Sequence, residues 1–350
     1  MNMATLPLEQ VRLDYLFRGS DASTADLDLY HAVLEFRLEQ AAPDQVNLGH
    51  AGVLAGKDAH ATPARQGCAL SGAATLSLEQ VLADIRQLPS LPAVVGELVK
   101  TLNNEFADIG QIAKGIAKDQ SLAARALRVA NSPFYGIQHE VASIHEAIVI
   151  LGFRAVGSLV MAASVMGYFP LPVGIAFDLT RFWRHGIGTA LCARALARAS
   201  GGDAETAFTV GLLHDIGVLL LATTRPTHYA KVLAWRAAND CLLVEAEQAV
   251  LGFDHAQAGE ALASRWGFPA GIARAVALHH APGGGGDMVA VAHVANILAH
   301  ALDLAGDPRA RVPPLDMETW RRLGLDRATL KALLAGIEQE HENYCALLAR

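Results

Sequence analysis

The sequence predicts an all-α protein, and three observations carry that reading. Alanine fills 64 of the 350 positions, about a third of a hydrophobic share of 52%. Aromatic residues make up only 6%, so small, helix-favouring side chains dominate and suit closely packed helices. From Ser77 onward, apolar residues recur at spacings of three and four, and no run alternates with the period of two that a strand needs.

In chain order, Leu27 to Leu38 is an amphipathic stretch, and Ala41 to Ala74, rich in Ala, Gly, Pro and Gln, reads as a linker. Residues 1–75 are therefore an N-terminal extension. Ser77 followed by Gln80 has the form of a capping box ahead of Val81, Leu82 and Ile85. That helix ends at Leu88-Pro89. Pro92 opens the next, with Val95, Leu98, Val99 and Leu102 on one face. Helices follow over 109–118, 121–130, 144–151 and 153–168. The turn Asn131 to Gly136 carries Phe134 and Tyr135, two aromatics placed to plug a core. A break at Phe169-Pro170-Leu171-Pro172 divides residues 76–170 from a second helical lobe, 171–300. Gly283 to Gly286 form a loop within that lobe, with no Lys-Ser/Thr to make it a phosphate cradle. Residues 301–350 are a C-terminal helical extension, its last helix running from about 327 to 348.

A net charge of −7 excludes a general electrostatic grip on bulk nucleic acid or an anionic membrane. Cys68, Cys192, Cys241 and Cys345 form no CxxC pair, so neither a disulfide framework nor a cysteine zinc site is indicated. The first thirteen residues lack a signal-peptide pattern, and the expected location is the cytoplasm. Ala155 to Phe177 is uncharged, but Gly167, Pro170, Pro172 and Gly174 interrupt it, leaving a core helix too short to span a bilayer. Nucleophile elbows, dinucleotide fingerprints and P-loops are missing. Arg125 and Arg128 read as an exposed helix face.

Chemistry concentrates in the second lobe. Six of the fourteen histidines, His185, His214, His255, His279, His280 and His293, fall in helical surroundings there. Asp215 follows His214 inside Gly211-Leu212-Leu213-His214-Asp215-Ile216-Gly217, where an ionised carboxylate must be paired, hydrogen-bonded or metal-bound. Imidazole and carboxylate together suit Fe, Mn, Zn or Ni, and divalent ions so held can clamp a phosphate and activate water. A buried polar network without metal fits the same spacing. Consecutive helical residues point about 100° apart, but Ala281-Pro282 ends the helix, which lets both His279 and His280 contribute. The isolated histidines, including His228 and His341, are assigned surface or satisfied structural roles.

The order His185, His214-Asp215, His255, His279-His280 resembles the HD superfamily of metal-dependent phosphohydrolases. Leu88-Pro89-Ser90-Leu91-Pro92, residues 119–127, Ala130 to Gly136 and Ala147 to Gly152 narrow it further. Over about residues 79–300 the chain resembles the HDOD family, the HD-related output domain of bacterial signalling proteins. The resemblance implies two helical lobes, the second similar to HD-GYP cyclic-dinucleotide phosphodiesterases, in a regulatory module placed downstream of sensors.

Two departures from the catalytic pattern stand out. Val218 occupies the position of the lysine in His-Asp-Ile-Gly-Lys, which removes a fixed charge for phosphate. Val291-Ala292-His293 replaces Val-Ala-Asp, and Asn296 stands where a second Asp often sits. The loss of negative charge favours one metal ion over two. His293 is counted in the site by its spacing of three from Asn296, and His300 is assigned a solvated or packing role. The resemblance thus implies a cytoplasmic output module that binds a signalling protein or a small nucleotide, as a monomer or homo-oligomer, through a catalytically silent metal pocket. Its rivals are an active phosphohydrolase using Asp215 and a metal-free scaffold.

Overall fold

The structure, a computed structural model, describes residues 8–18, 24–40, 76–87, 93–101, 109–131, 139–169 and 175–348. Every regular element among them is a helix, as the sequence predicts. The linker 41–74, the loop at 88–92, the aromatic turn at 132–138 and the break at 170–172 lie outside the described residues.

Two N-terminal helices, α1 (Leu8–Leu16) and α2 (Thr24–Gln40), precede the first lobe. The segment expected as that lobe supplies α3 (Leu78–Gln87), α4 (Ala93–Thr101), α5 (Ile109–Lys118), α6 (Gln120–Ala130), α7 (Ile144–Leu151) and α8 (Phe153–Tyr168), and its Val81, Val99 and Val160 share one core with Leu219, Ala258 and Val276 of the segment expected as the second. The second lobe contains α9 (Leu179–Ala199), α10 (Ala204–Leu213), α11 (Ile216–Thr224), α12 (Pro226–Asn239), α13 (Leu243–Leu251), α14 (His255–Arg265), α15 (Ala270–Leu278) and α16 (Asp287–Ala301). The chain closes with α17 (Met317–Leu323) and α18 (Arg327–Leu348).

The capping box forms as expected: Gln80 N–H donates to Ser77 Oγ at 3.3 Å, and Ser77 N–H donates to Gln80 Oε1 at 2.9 Å. The uncharged run beginning at Ala155 is core, with Val156, Val160, Met161 and Val165 of α8 all buried. The stretch Ala204–Thr224 is also long and apolar enough to cross a membrane, and 83% of its most apolar window is buried inside the molecule.

Helix α9 is the axis of the second lobe, with α10, α16 and α18 packed along it. Two close approaches place the functional loops. A Cβ on Gly211 would lie 2.6 Å from Ala190 Cα, so only glycine lets α10 seat its backbone on α9. At Gly217 a Cβ would come within 1.9 Å of the His255 carbonyl oxygen, so α11 and α14 touch backbone to backbone there. Both contacts are enforced by sterics.

The flanking extensions pack on the second lobe. Leu13, Leu16, Leu29, Val33 and Phe36 share a core with Leu298, Leu302, Leu334 and Ile337. Helix α1, for which the sequence shows no clear periodicity, is held by tertiary bonds: Val312 N–H donates to Leu16 O at 2.8 Å and Arg311 Nη2 to Arg18 O at 2.8 Å. Buried Arg194 of α9 donates to Glu340 at 3.1 Å and to the Tyr344 hydroxyl at 3.3 Å, fastening α18 to the same axis.

Candidate metal centre

His214 and Asp215 sit in the corner between α10 and α11, not inside one continuous helix as the apolar pattern suggests. Asp215 is the N-cap of α11, yet its side chain makes no capping bond. The carboxylate is thereby left for the site. It is 17% exposed, enough to open onto a cavity.

Its two oxygens face two sets of imidazoles. Oδ2 lies 3.4 Å from His214 Nε2 and 3.7 Å from His185 Nε2. Oδ1 lies 3.1 Å from His255 Nε2 and 3.4 Å from His279 Nε2. His280 joins the second set, its Nε2 3.0 Å from that of His255. One group is His185, His214 and Asp215; the other is Asp215, His255, His279 and His280, each with its ligand atoms within 4.8 Å of one another. Asp215 belongs to both.

The second nitrogens fix the tautomers. A carbonyl oxygen can only accept, so His214 Nδ1 donates to Gly211 O and His279 Nδ1 donates to Val276 O, each at 2.7 Å. Their Nε2 lone pairs consequently point into the cluster. His185 Nε2 stands 3.2 Å from His214 Nε2, and His255 Nε2 stands 3.4 Å from His279 Nε2. Converging lone pairs around one carboxylate are the donor set of a borderline divalent cation, so the residues fit such a metal.

Electrostatics point the same way for His185, His279 and His280, whereas His255 must give up a proton before it can ligate. Burial pushes His185 and His279 down to about 4, and drives His280 well below the ordinary imidazole range. They are neutral, and so able to ligate, at pH 7. Burial works to raise the Asp215 carboxyl, but the adjacent His214 and His255 outweigh it and hold the group well below the usual carboxylate range. Burial also works to lower His255, yet Glu247 and Asp215 prevail and keep it well above 6.5.

Sequence reasoning does not single out Glu247. Fully buried on α13, it accepts from His255 Nδ1 at 2.5 Å, from the His255 backbone N–H at 2.9 Å and from the Tyr229 hydroxyl at 3.0 Å. A carboxylate behind a ligand imidazole orients the ring and raises its basicity. One signal is available in the sequence: Glu247 shares a helix face with Leu243, Val250 and Leu251.

The structure does not bring His293 into the cluster. Its Nδ1 donates to His279 O at 2.8 Å and its Nε2 accepts from Asp316 N–H at 3.1 Å, so backbone groups use both nitrogens. Three residues along a helix turn through about 300°, which carries Asn296, not His293, to the site. Asn296 Oδ1 lies 3.0 Å from His185 Nε2. His300 takes the packing role of the two assigned to it: its ring packs on His185 with centroids 4.4 Å apart, and burial drives its pKa far down. Val218 is buried at the cavity wall, where it offers no charge. His341 has the satisfied structural role assigned to it, its Nε2 bonded to Arg184 O at 2.8 Å.

The cavity above Asp215 is about 440 Å³. His185, Asp215, His255 and Asn296 line it on the side of the cluster, together with Phe177, Phe182 and Tyr229 and with residues of the segment after α16.

Comparison with known proteins decides the family, since the HDOD domain matches residues 88–282, more than half of the chain. The chain belongs to the HDOD family. This HDOD chain is 28% identical to a "Putative phosphohydrolase" of Shewanella amazonensis SB2B, with a TM-score of 0.62 over 77% of this chain and 97% of that one. It shares its fold with an HDOD domain protein of unknown function from Geobacter sulfurreducens, at 21% identity and a TM-score of 0.62, covering 78% and 99% of the two chains. An uncharacterized protein of Treponema pallidum (strain Nichols) is 25% identical over 209 residues, 59% of this chain, and the match spans 40% of that relative's length.

Proposed function

We propose that this HDOD protein is a cytoplasmic signalling module that binds a divalent metal ion and, through it, the phosphate of a small nucleotide, without turning it over. The observation that carries this reading is the position of Asp215, one carboxylate facing two sets of histidine nitrogens at the floor of an open cavity. Asp215, His255, His279 and His280 would hold one ion tightly, with Glu247 orienting His255. His185 and His214, joined by the neutral Asn296, offer a weaker second position, because one carboxylate shared between two dications leaves most of their charge uncompensated. When bound, the metal supplies Lewis-acid attraction for a phosphate oxygen. The chain's own groups position that phosphate against the floor, while the aromatic walls exclude water.

Silence follows from what surrounds the floor. Val218 places no cation beside the phosphate, and Asn296 replaces a charged ligand with a neutral amide. Against this, the set around Asp215, His255, His279 and His280 is complete, which is the specific support for a second reading as an active phosphohydrolase.

Elemental analysis of protein purified without chelator tests the first claim: the expected content is close to one ion per chain, lost in Asp215→Ala. Phosphodiester hydrolysis by the metal-loaded protein, abolished in that variant, would overturn silence in favour of the second reading.

A further inference from the structure

The irregular segment that joins α16 to α17 supplies part of the cavity lining, including Arg309, Ala310 and Arg311. That segment is held from the opposite end of the chain. Arg12 of α1 pairs with the Asp303 carboxylate, and the Tyr15 hydroxyl donates to Pro308 O at 3.2 Å. Arg18 Nη1 donates to Ala310 O at 3.0 Å, and Val312 N–H donates to Leu16 O at 2.8 Å. In return, Arg311 Nε and Nη2 donate to Arg18 O at 3.1 and 2.8 Å.

Arg18 reaches a second part of the lining as well. Its Nε and Nη2 donate to the Asp240 carboxylate at 2.9 and 2.6 Å, and Arg311 Nη1 donates to the Asp240 carbonyl. Asp240 ends α12, the helix whose Tyr229 and Arg236 line the same cavity. One side chain of the N-terminal extension thus ties together the segment after α16 and the end of α12.

Helix α1 has little stability of its own. It has nine residues, and isolated helices shorter than about 12–15 residues are marginal in water. Burial of Leu13 and Leu16 against the body of the molecule is what keeps it helical. The bonds to Pro308, Ala310, Arg311 and Val312 exist only in that docked state, so α1 and the wall it braces loosen together.

We infer that docking of α1 and binding in the cavity are coupled, with Arg18 as the positioning residue that sets the wall a nucleotide meets. The inference rests on the proposed binding of a nucleotide phosphate at Asp215 and adds how that binding is regulated. A ligand that touches Arg309, Ala310 or Arg311 finds them in place only while α1 is docked. It therefore binds the docked state better, and by linkage its binding holds α1 down by the same factor. Residues 12–18 and 303–312 lie outside residues 88–282, so the coupling belongs to the extensions and not to the matched domain. A signal that draws the N-terminal extension away lowers the affinity of the cavity.

Hydrogen exchange of the full chain, read by mass spectrometry, tests the coupling with Mn²⁺ alone and with Mn²⁺ plus saturating guanosine or adenosine 5′-monophosphate, whose binding calorimetry measures. With bound nucleotide, amides of residues 8–18 and 303–312 should exchange about threefold more slowly or better, and Mn²⁺ alone should leave them unchanged. Arg18→Ala should speed exchange in both segments and weaken nucleotide binding about tenfold, a usual size for such couplings, with Mn²⁺ affinity unaltered. Asp240→Asn removes the charge that Arg18 grips and keeps a residue tolerant of the left-handed backbone at φ 42°. It should weaken nucleotide binding in the same direction, and it decides the matter if Arg18→Ala does not fold. A bound nucleotide that leaves exchange of residues 8–18 unchanged, or an affinity that survives both substitutions, overturns the coupling and leaves the metal-phosphate reading intact. Binding of neither nucleotide overturns both.

Discussion

The Glu247 carboxylate holds His255 twice, accepting from its ring Nδ1 at 2.5 Å and from its backbone N–H at 2.9 Å. This double hold fixes the ring and presents Nε2 to Asp215. Glu247→Gln keeps the volume but turns a charged acceptor into a neutral amide. Metal affinity, measured by competition with a chromophoric chelator, should fall about 10- to 100-fold, the usual effect of losing a partner behind a ligand. Unchanged affinity would mean that His255 is not a ligand.

Gly217 should be close to irreplaceable. An added Cβ would sit 1.9 Å from the His255 carbonyl oxygen and 2.7 Å from Gly259 N, both backbone atoms that cannot turn aside. Gly217→Ala must force α11 away from α14, at a cost of about 3 kcal/mol or more, and separate Asp215 from His255. At Gly271 on α15 an added Cβ would meet nothing within 4 Å, and Gly271→Ala should instead stabilise by about 0.5–1 kcal/mol through helix propensity. Urea unfolding of the two variants checks the opposite signs.

Much of this centre is legible in the sequence, for reasons that differ residue by residue. His214 and Asp215 stand out because polar side chains in so apolar a stretch demand partners. His255, His279 and His280 follow from order and family resemblance. For His293, a spacing of three from Asn296 suggests a shared target, but the 60° between the two side chains separates a structural role from a site role. Helix α1 is not visible because its stability comes from the 310–312 segment laid against Leu16 and Arg18, a contact nearly 300 residues distant.

The reassignment of His293 yields its own test. His293→Ala leaves the His279 carbonyl and the Asp316 N–H without partners, so the protein should lose about 1–3 kcal/mol of stability. Metal content at saturation should remain that of the unaltered protein. His214→Ala provides the contrast, removing an Nε2 that faces Asp215 at 3.4 Å. A loss of metal in His293→Ala comparable to that in His214→Ala would return His293 to the ligand set.

Asn296 decides how many ions the centre holds. Its Oδ1 already lies 3.0 Å from His185 Nε2, beside the set that has two imidazoles and one oxygen of a shared carboxylate. Asn296→Asp is isosteric and adds one negative charge at that point, where the two dications would otherwise face a single carboxylate. Attraction between unit charges at 4 Å is about 4 kcal/mol at an effective dielectric of 20, several times the about 1.4 kcal/mol that corresponds to a tenfold change in binding. The substitution should therefore raise the metal content from close to one ion per chain toward two, without altering the tighter site. Titration with Mn²⁺ followed by electron paramagnetic resonance distinguishes the outcomes, because two ions bridged by Asp215 couple magnetically and one does not. A stoichiometry that stays at one would show that charge is not what limits the His185 and His214 position.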